Sequence, residues 1–519
     1  MKRSRRLLSA VAALAVAALA LTACGILWDP KGGDARPVPS KSPNLDHVPA
    51  GFEESYGQAL SWEPCDGVDE GDYDCTTVTA PLDWADPASD EIELALIRRH
   101  ADGGEPLGSL LTNPGGPGAS GYDLVADGAL FAVGEELAEA YDVIGFDPRG
   151  VGRSTAVSCL DDEAMDAYLF DIPADPRGSA GWEAELTSRN DDFVAACESN
   201  SDGILPFITT ENAARDLDLL RAVLGDATLS YLGYSYGTFL GATYAKLFPE
   251  QVGRLVLDGA IDPAIPGIAV GTTQAVGFES ALRAYMADCL EGRECPFRGT
   301  VDEAMSDLGT LLASVDRAPI RNADGRELGA DSLMTAIVAA LYSQESWDYL
   351  SMALDGALAG DAEVAFVLAD FYYKRSPDGV YEDNSTEAFR AYNCMDYPLD
   401  TDQADQDAAE ALVAEKAPTI APFWQGVDVC GVWPEEPTGV REPIAAEGAA
   451  PIVVVGTTND PATPYEWSES LAEQLASGVL VTRVGEGHTG FNKGNHCVDE
   501  AVVSYLVDGV VPQDGLRCE

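Results

Sequence analysis

TLSYLGYSYGTFLGATYAKLF, residues 228–248, reads as an apolar strand, an abrupt turn and a mostly apolar helix. At the turn lies GYSYG, 233–237, a G-x-S-x-G pentapeptide with Ser235 at its centre. In a chain with 51 glycines the pentapeptide proves little alone, and its strand-to-helix setting carries the reading. The flanking glycines have a steric purpose, because a turn sharp enough to expose a serine leaves little room for a Cβ on either side.

Working outward, the runs CTTVTAPLDW, EIELALIRR, GSLLTN and YDVIGFD precede this stretch, and GRLVLDG, PIVVVGT and GVLVTRV follow it. With TLSYLGY they make eight short β-rich segments, several of them continuously apolar, as strands buried on both faces are. Ala213, Leu217, Leu220 and Leu224 repeat at helical spacing ahead of the serine strand and mark a crossover helix. Between the sixth and seventh runs, FESALRAYMADCL, SLMTAIVAALY and DAAEALVAEKA predict helices. The expected organisation is a signal segment over 1–23, a stalk over 24–50, and a sheet-bearing part over 51–262. A helical domain over 263–445 and a return to the sheet over 446–519 complete it.

A serine hydroxyl needs a base, and four histidines are present. His47 lies in the stalk segment and His100 precedes the serine, whereas His488 follows the last strand in GEGHTGF; His496 is the remaining rival. The order serine, acid, histidine, with the base after the final strand, selects His488. The acid is expected after the seventh strand, where PIVVVGT runs into TNDPATP and presents Asp460, with Thr463 either bracing it through its hydroxyl or serving only as a turn residue. Acyl transfer also needs N–H donors for an oxyanion. Tyr236 supplies one, and Gly116 in NPGGPGASG (113–121), after the third strand, is expected to supply the other.

NPGGPG, FDPRGVGRS, GYSYGT, LDGAIDP, YNCMD, NDPATP and GHTGF together resemble the proline iminopeptidase-related serine peptidases, in their tripeptidyl aminopeptidase-like branch. The resemblance spans nearly the whole mature chain. It implies an α/β-hydrolase fold, an eight-stranded, mostly parallel sheet with a large, mainly helical inserted cap. It also implies a triad at Ser235, Asp460 and His488 and cleavage of peptides or esters without a cofactor. Pro114 stands where proline iminopeptidases carry a histidine, so no role of that side chain transfers. Aminopeptidases of this kind need an anionic receptor for the substrate's ammonium group, and Asp396 is one candidate, with a solvated surface acid the alternative.

Lys2, Arg3, Arg5 and Arg6 precede the apolar run 7–21, too short for a comfortable membrane span, which ends in Leu21-Thr22-Ala23-Cys24. This pattern resembles a lipobox and predicts cleavage before Cys24 and a lipid anchor on its thiol, on the outer face of the cell membrane. Residues 25–50, rich in Pro, Gly and Ser, read as a stalk. The other ten cysteines form an even set in an exported chain, which predicts disulfides. Sequence alone does not fix the connectivity; neighbour pairing, which keeps each bridge within one structural segment, predicts Cys65 with Cys75, Cys159 with Cys197, Cys289 with Cys295, Cys394 with Cys430, and Cys497 with Cys518. Metal-site spacings such as C-x-x-C and H-E-x-x-H do not occur. A formal charge of -56 repels nucleic acid and anionic lipid, so nucleic acid is not an expected partner; peptide or ester substrates are the partners that the resemblance implies. A carboxylesterase with the same triad and a non-catalytic binding lipoprotein are the alternatives, and the oligomeric state is open.

Overall fold

The computed structural model describes residues 41–519 apart from 66, 69–72, 400, 401 and 425. The expected signal segment, Cys24 and the stalk up to residue 40 lie outside the described residues.

All eight predicted runs are strands, labelled β2 (Tyr73–Pro81), β3 (Glu91–Arg99), β4 (Ser109–Asn113), β5 (Asp142–Phe146), β6 (Leu229–Tyr234), β7 (Val252–Asp258), β8 (Ile452–Asn459) and β9 (Gly478–Glu486). Two short edge strands, β1 (Glu63–Pro64) and β10 (Leu516–Cys518), extend the sheet to ten. The expectation of eight missed them because two or three residues are too few to show an alternating pattern. The order is β1-β2-β3-β5-β4-β6-β7-β8-β9-β10. The pairings from β5 through β4 to β10 are parallel, and those among β1, β2, β3 and β5 are antiparallel.

The central strands alternate between two apolar cores. Tyr231, Leu255, Leu257 and Val454 face one layer with Leu217, Leu220 and Leu240, while Leu232, Val256, Val453 and Val455 face the other with Val125, Val133 and Val498. Covering helices are therefore required on both faces, and the predicted crossover, Thr210–Val223, is one of them. Between β7 and β8 the chain forms a succession of helices from Gly267–Glu291 to Ser385–Asp396 and Gln403–Lys416. They have a third apolar cluster, with Leu282, Met286, Leu308, Leu312, Ile337, Leu350 and Phe366 at its centre. Ser40–Glu519 nonetheless cluster as one compact unit. Helices Asp162–Phe170 and Ala180–Asn200, between β5 and the crossover, were not anticipated. The second is tied back by Cys159–Cys197, and all five disulfides pair as neighbours in sequence, as expected.

Candidate active site

Ser235 stands between β6 and helix Tyr236–Leu247 with φ 55 and ψ −122, a region L-residues rarely occupy. Such a backbone costs about 1–3 kcal/mol and persists only where neighbours hold it. The Ser235 N–H donates to the Asp258 carbonyl at 2.9 Å, and its own carbonyl accepts from the Thr238 N–H at 2.9 Å and the Thr238 hydroxyl at 2.6 Å. The glycines are required as the sequence suggested: a Cβ on Gly233 would come 2.4 Å from the Gly237 carbonyl oxygen, and one on Gly237 2.9 Å from that of Asn113.

Asp460 follows β8 and His488 follows β9, and parallel pairing of those strands brings the two loops together. The His488 Nδ1 lies 2.9 Å from both carboxylate oxygens of Asp460. Both side chains are withdrawn from solvent, at 9% exposure for His488 and 0% for Asp460, which strengthens their attraction. The carboxylate also accepts from the N–H groups of Ala462, Thr463 and Thr489 at 2.9–3.0 Å, and from the Thr463 hydroxyl at 3.1 Å. Thr463 thus does brace the acid. Asp460 must accept on every side, so its carboxylate orientation is set and the Nδ1 proton of His488 has one place to point. Among the described residues the Ser235 hydroxyl makes no hydrogen bond to the imidazole, as is common for catalytic contacts before substrate binds.

The loop 113–121 lies against the serine turn, and its closest residue is Gly115. A Cβ there would fall 2.4 Å from the Tyr234 carbonyl oxygen and 2.6 Å from the Ser235 Cβ. The Gly115 N–H is taken by the Asn113 side chain at 3.0 Å. The N–H groups of Gly116 and Tyr236, by contrast, have no acceptor among the described residues, which leaves both free for an oxyanion. Asp147, from FDPRG, anchors this loop by accepting from the Ser120 hydroxyl at 2.5 Å and the Arg153 N–H at 2.8 Å. Gly115→Ala is expected to lower kcat about 100-fold, because a methyl group would push the nucleophile aside. Steady-state kinetics beside a thermal melt would check this.

A model described as the alpha/beta hydrolase fold matches residues 108–314, and one described as TAP-like protein matches 417–518. Serine protease Hip1 of Mycobacterium tuberculosis is 36% identical over 540 residues, covering 99% of this chain and 98% of that one. The chain belongs to the α/β-hydrolase family. Carboxylesterase B of the same organism is 37% identical, with 86% of each chain covered. Tripeptidyl aminopeptidase of Streptomyces lividans is 30% identical, with 88% of this chain and 86% of that one covered. This α/β-hydrolase is a serine hydrolase, like the relatives it matches across most of its length.

Other residues singled out in the sequence have different surroundings in the hydrolase. Asp396 is buried, and its two oxygens accept from the Thr210 N–H at 2.9 Å and the Thr210 hydroxyl at 2.6 Å. Burial pushes its pKa up to about 6, against the hydrogen bonds from Thr210. It accepts from the first N–H of the crossover helix, so the alternative of a solvated surface acid is corrected: Asp396 is an internal acceptor. His496 is a surface residue with a side chain 91% exposed, and the His100 Nε2 is 2.8 Å from Asp74. Arg149, also from FDPRG, is buried in a bidentate pair with Asp216, both contacts at 2.7 Å. Tyr342, in the helical layer, was not foreseen at the site. Its carbonyl accepts the His488 N–H at 2.9 Å and its ring stands edge-on to the imidazole at 5.2 Å. No spacing in the sequence connects residues 146 positions apart.

Proposed function

We propose that this hydrolase is a lipid-anchored, extracytoplasmic serine peptidase that releases short peptides from amino termini. Ser235 is the nucleophile, His488 the base, Asp460 the residue that holds and charges-balances the imidazole, and Gly116 and Tyr236 the oxyanion donors. The observation that supports the serine-hydrolase chemistry is the buried Asp460 gripping the His488 Nδ1, with Ser235 displayed on a left-handed turn. In the forward step the imidazole takes the Ser235 proton as Oγ attacks the carbonyl carbon. The tetrahedral oxyanion is met by the two N–H groups, and the proton passes to the leaving amine. Water then repeats the sequence on the acyl-serine and frees the acid.

The peptidase reading is supported by relatives named serine protease and tripeptidyl aminopeptidase. The lipid anchor and outward location are supported by the basic residues, apolar run and Leu-Thr-Ala-Cys of the amino-terminal sequence. One observation favours an esterase instead: a relative of similar identity is named Carboxylesterase B. Chromogenic tripeptides with free and blocked amino termini, compared with short acyl esters, separate the two readings. A preference for the free tripeptide is expected, and turnover of esters alone would overturn the peptidase assignment. Cys24→Ala is expected to abolish incorporation of labelled fatty acid and release the protein from the membrane fraction.

A further inference from the structure

The turn that carries the base is bent against its own preference. Thr489, directly after His488, has φ 67, a left-handed conformation that is costly for a β-branched residue. The ends of two neighbouring strands, β7 and β8, hold it there. The Thr489 N–H donates to Asp460 at 3.0 Å, and its carbonyl accepts from the Thr457 hydroxyl at 2.9 Å. The next two N–H groups converge on one carboxylate: Gly490 donates to both oxygens of Asp258, at 2.8 and 3.0 Å, and Phe491 to one of them at 2.8 Å. Asp258 ends β7, is fully buried, and through its own carbonyl accepts the Ser235 N–H at 2.9 Å. One residue therefore touches both the nucleophile's backbone and the base's turn.

Asp258 is an expensive choice for that position. Burial raises its pKa to about 6, opposed by the N–H groups of Phe491 and Gly490 and by His488, and reinforced by Asp460. Because the folded value lies above the ordinary carboxylate value, ionisation opposes folding. The penalty is absent below the unfolded value and complete once pH has risen through about 6. A charge kept in the interior at that cost supplies acceptors that an amide or an apolar side chain could not.

We propose that Asp258, assisted by Thr457, is a positioning residue that holds the Thr489 turn in its left-handed form and so aims His488 at Ser235. The inference rests on the roles proposed for Ser235 and His488. In Asp258→Asn the amide NH2 would confront the N–H of Gly490 or Phe491, and the turn would relax. The expected result is a fall in kcat of about 100-fold with KM within about threefold, since the reacting groups and not the binding surface are displaced. Glycine accepts a positive φ without strain, so adding Thr489→Gly to Asp258→Asn should restore about tenfold of the loss. Thr457→Val, a milder change, is expected to lower kcat about tenfold and to be rescued in the same way. It makes the same comparison should Asp258→Asn not fold. Hydrogen exchange of residues 486–493, in the full chain, should be faster in both single variants than in wild type. Unchanged kcat and exchange in the single variants, or a loss that Thr489→Gly does not recover, would overturn the proposal. Failure of a fluorophosphonate to label Ser235 in folded wild type would instead count against the catalytic reading, and exchange would still decide whether Asp258 and Thr457 hold the turn.

Discussion

Replacing Ser235 by alanine is expected to lower kcat by about six orders of magnitude while leaving KM nearly unchanged. The substitution removes only Oγ. Alanine meets the same strain at φ 55, and the backbone contacts to Asp258 and Thr238 remain, so the thermal midpoint should stay close to wild type. A residual acceleration of about 10³–10⁴ over water should survive, from the N–H groups of Gly116 and Tyr236 and from binding. The measurement is steady-state kinetics on an activated ester and a tripeptide, with fluorophosphonate labelling followed by mass spectrometry. Labelling should vanish in the variant. Full turnover by Ser235→Ala would place the chemistry elsewhere.

Asp460→Asn should be nearly as severe, with kcat reduced about 10⁴-fold, and unlike the serine variant it should also destabilise the protein. The carboxylate now accepts from the His488 ring, three backbone N–H groups and the Thr463 hydroxyl. An amide presents one oxygen and two donors, so at least one N–H would face another. With its Nδ1 partner weakened, the imidazole can carry its proton on the nitrogen that should receive the serine's. Kinetics and denaturant unfolding on the same preparation would show both losses. A fall in stability without a fall in kcat would remove Asp460 from the mechanism. His496→Ala serves as the control: its side chain stands in solvent, and activity should be unaffected.

Much of this site was legible in the primary structure because its physics is local. Ser235, its glycines and the adjoining strand and helix lie within a few residues of one another, and the turn's steric demand is written in Gly233 and Gly237. Asp460 and His488 were placed by strand order, which parallel pairing converts directly into proximity. Where the reading fell short, the deciding contact was distant in sequence or depended on burial. In NPGGPG the sequence points to Gly116, with nothing local to say why Gly115 would not serve. Only the packed loop shows that Gly115 lies on the serine turn with its N–H already used, while the N–H of Gly116 is free.

The acidic residues make the same point. With 87 of them in the chain, nothing local distinguishes the few that are internal. Asp396 could have been a solvated surface acid until the fold enclosed it against Thr210. Asp258 drew no notice of its own, yet it bridges the backbone of Ser235 to the turn of His488. By itself the amino-acid sequence determined the eight longer strands, the crossover and the three residues of the candidate triad, since periodicity, spacing and order are properties of a line. Which carboxylates lose their water, which N–H groups stay open and which distant residue steadies the histidine were decided by tertiary structure alone. Desolvation and hydrogen-bond satisfaction depend on what surrounds an atom in three dimensions.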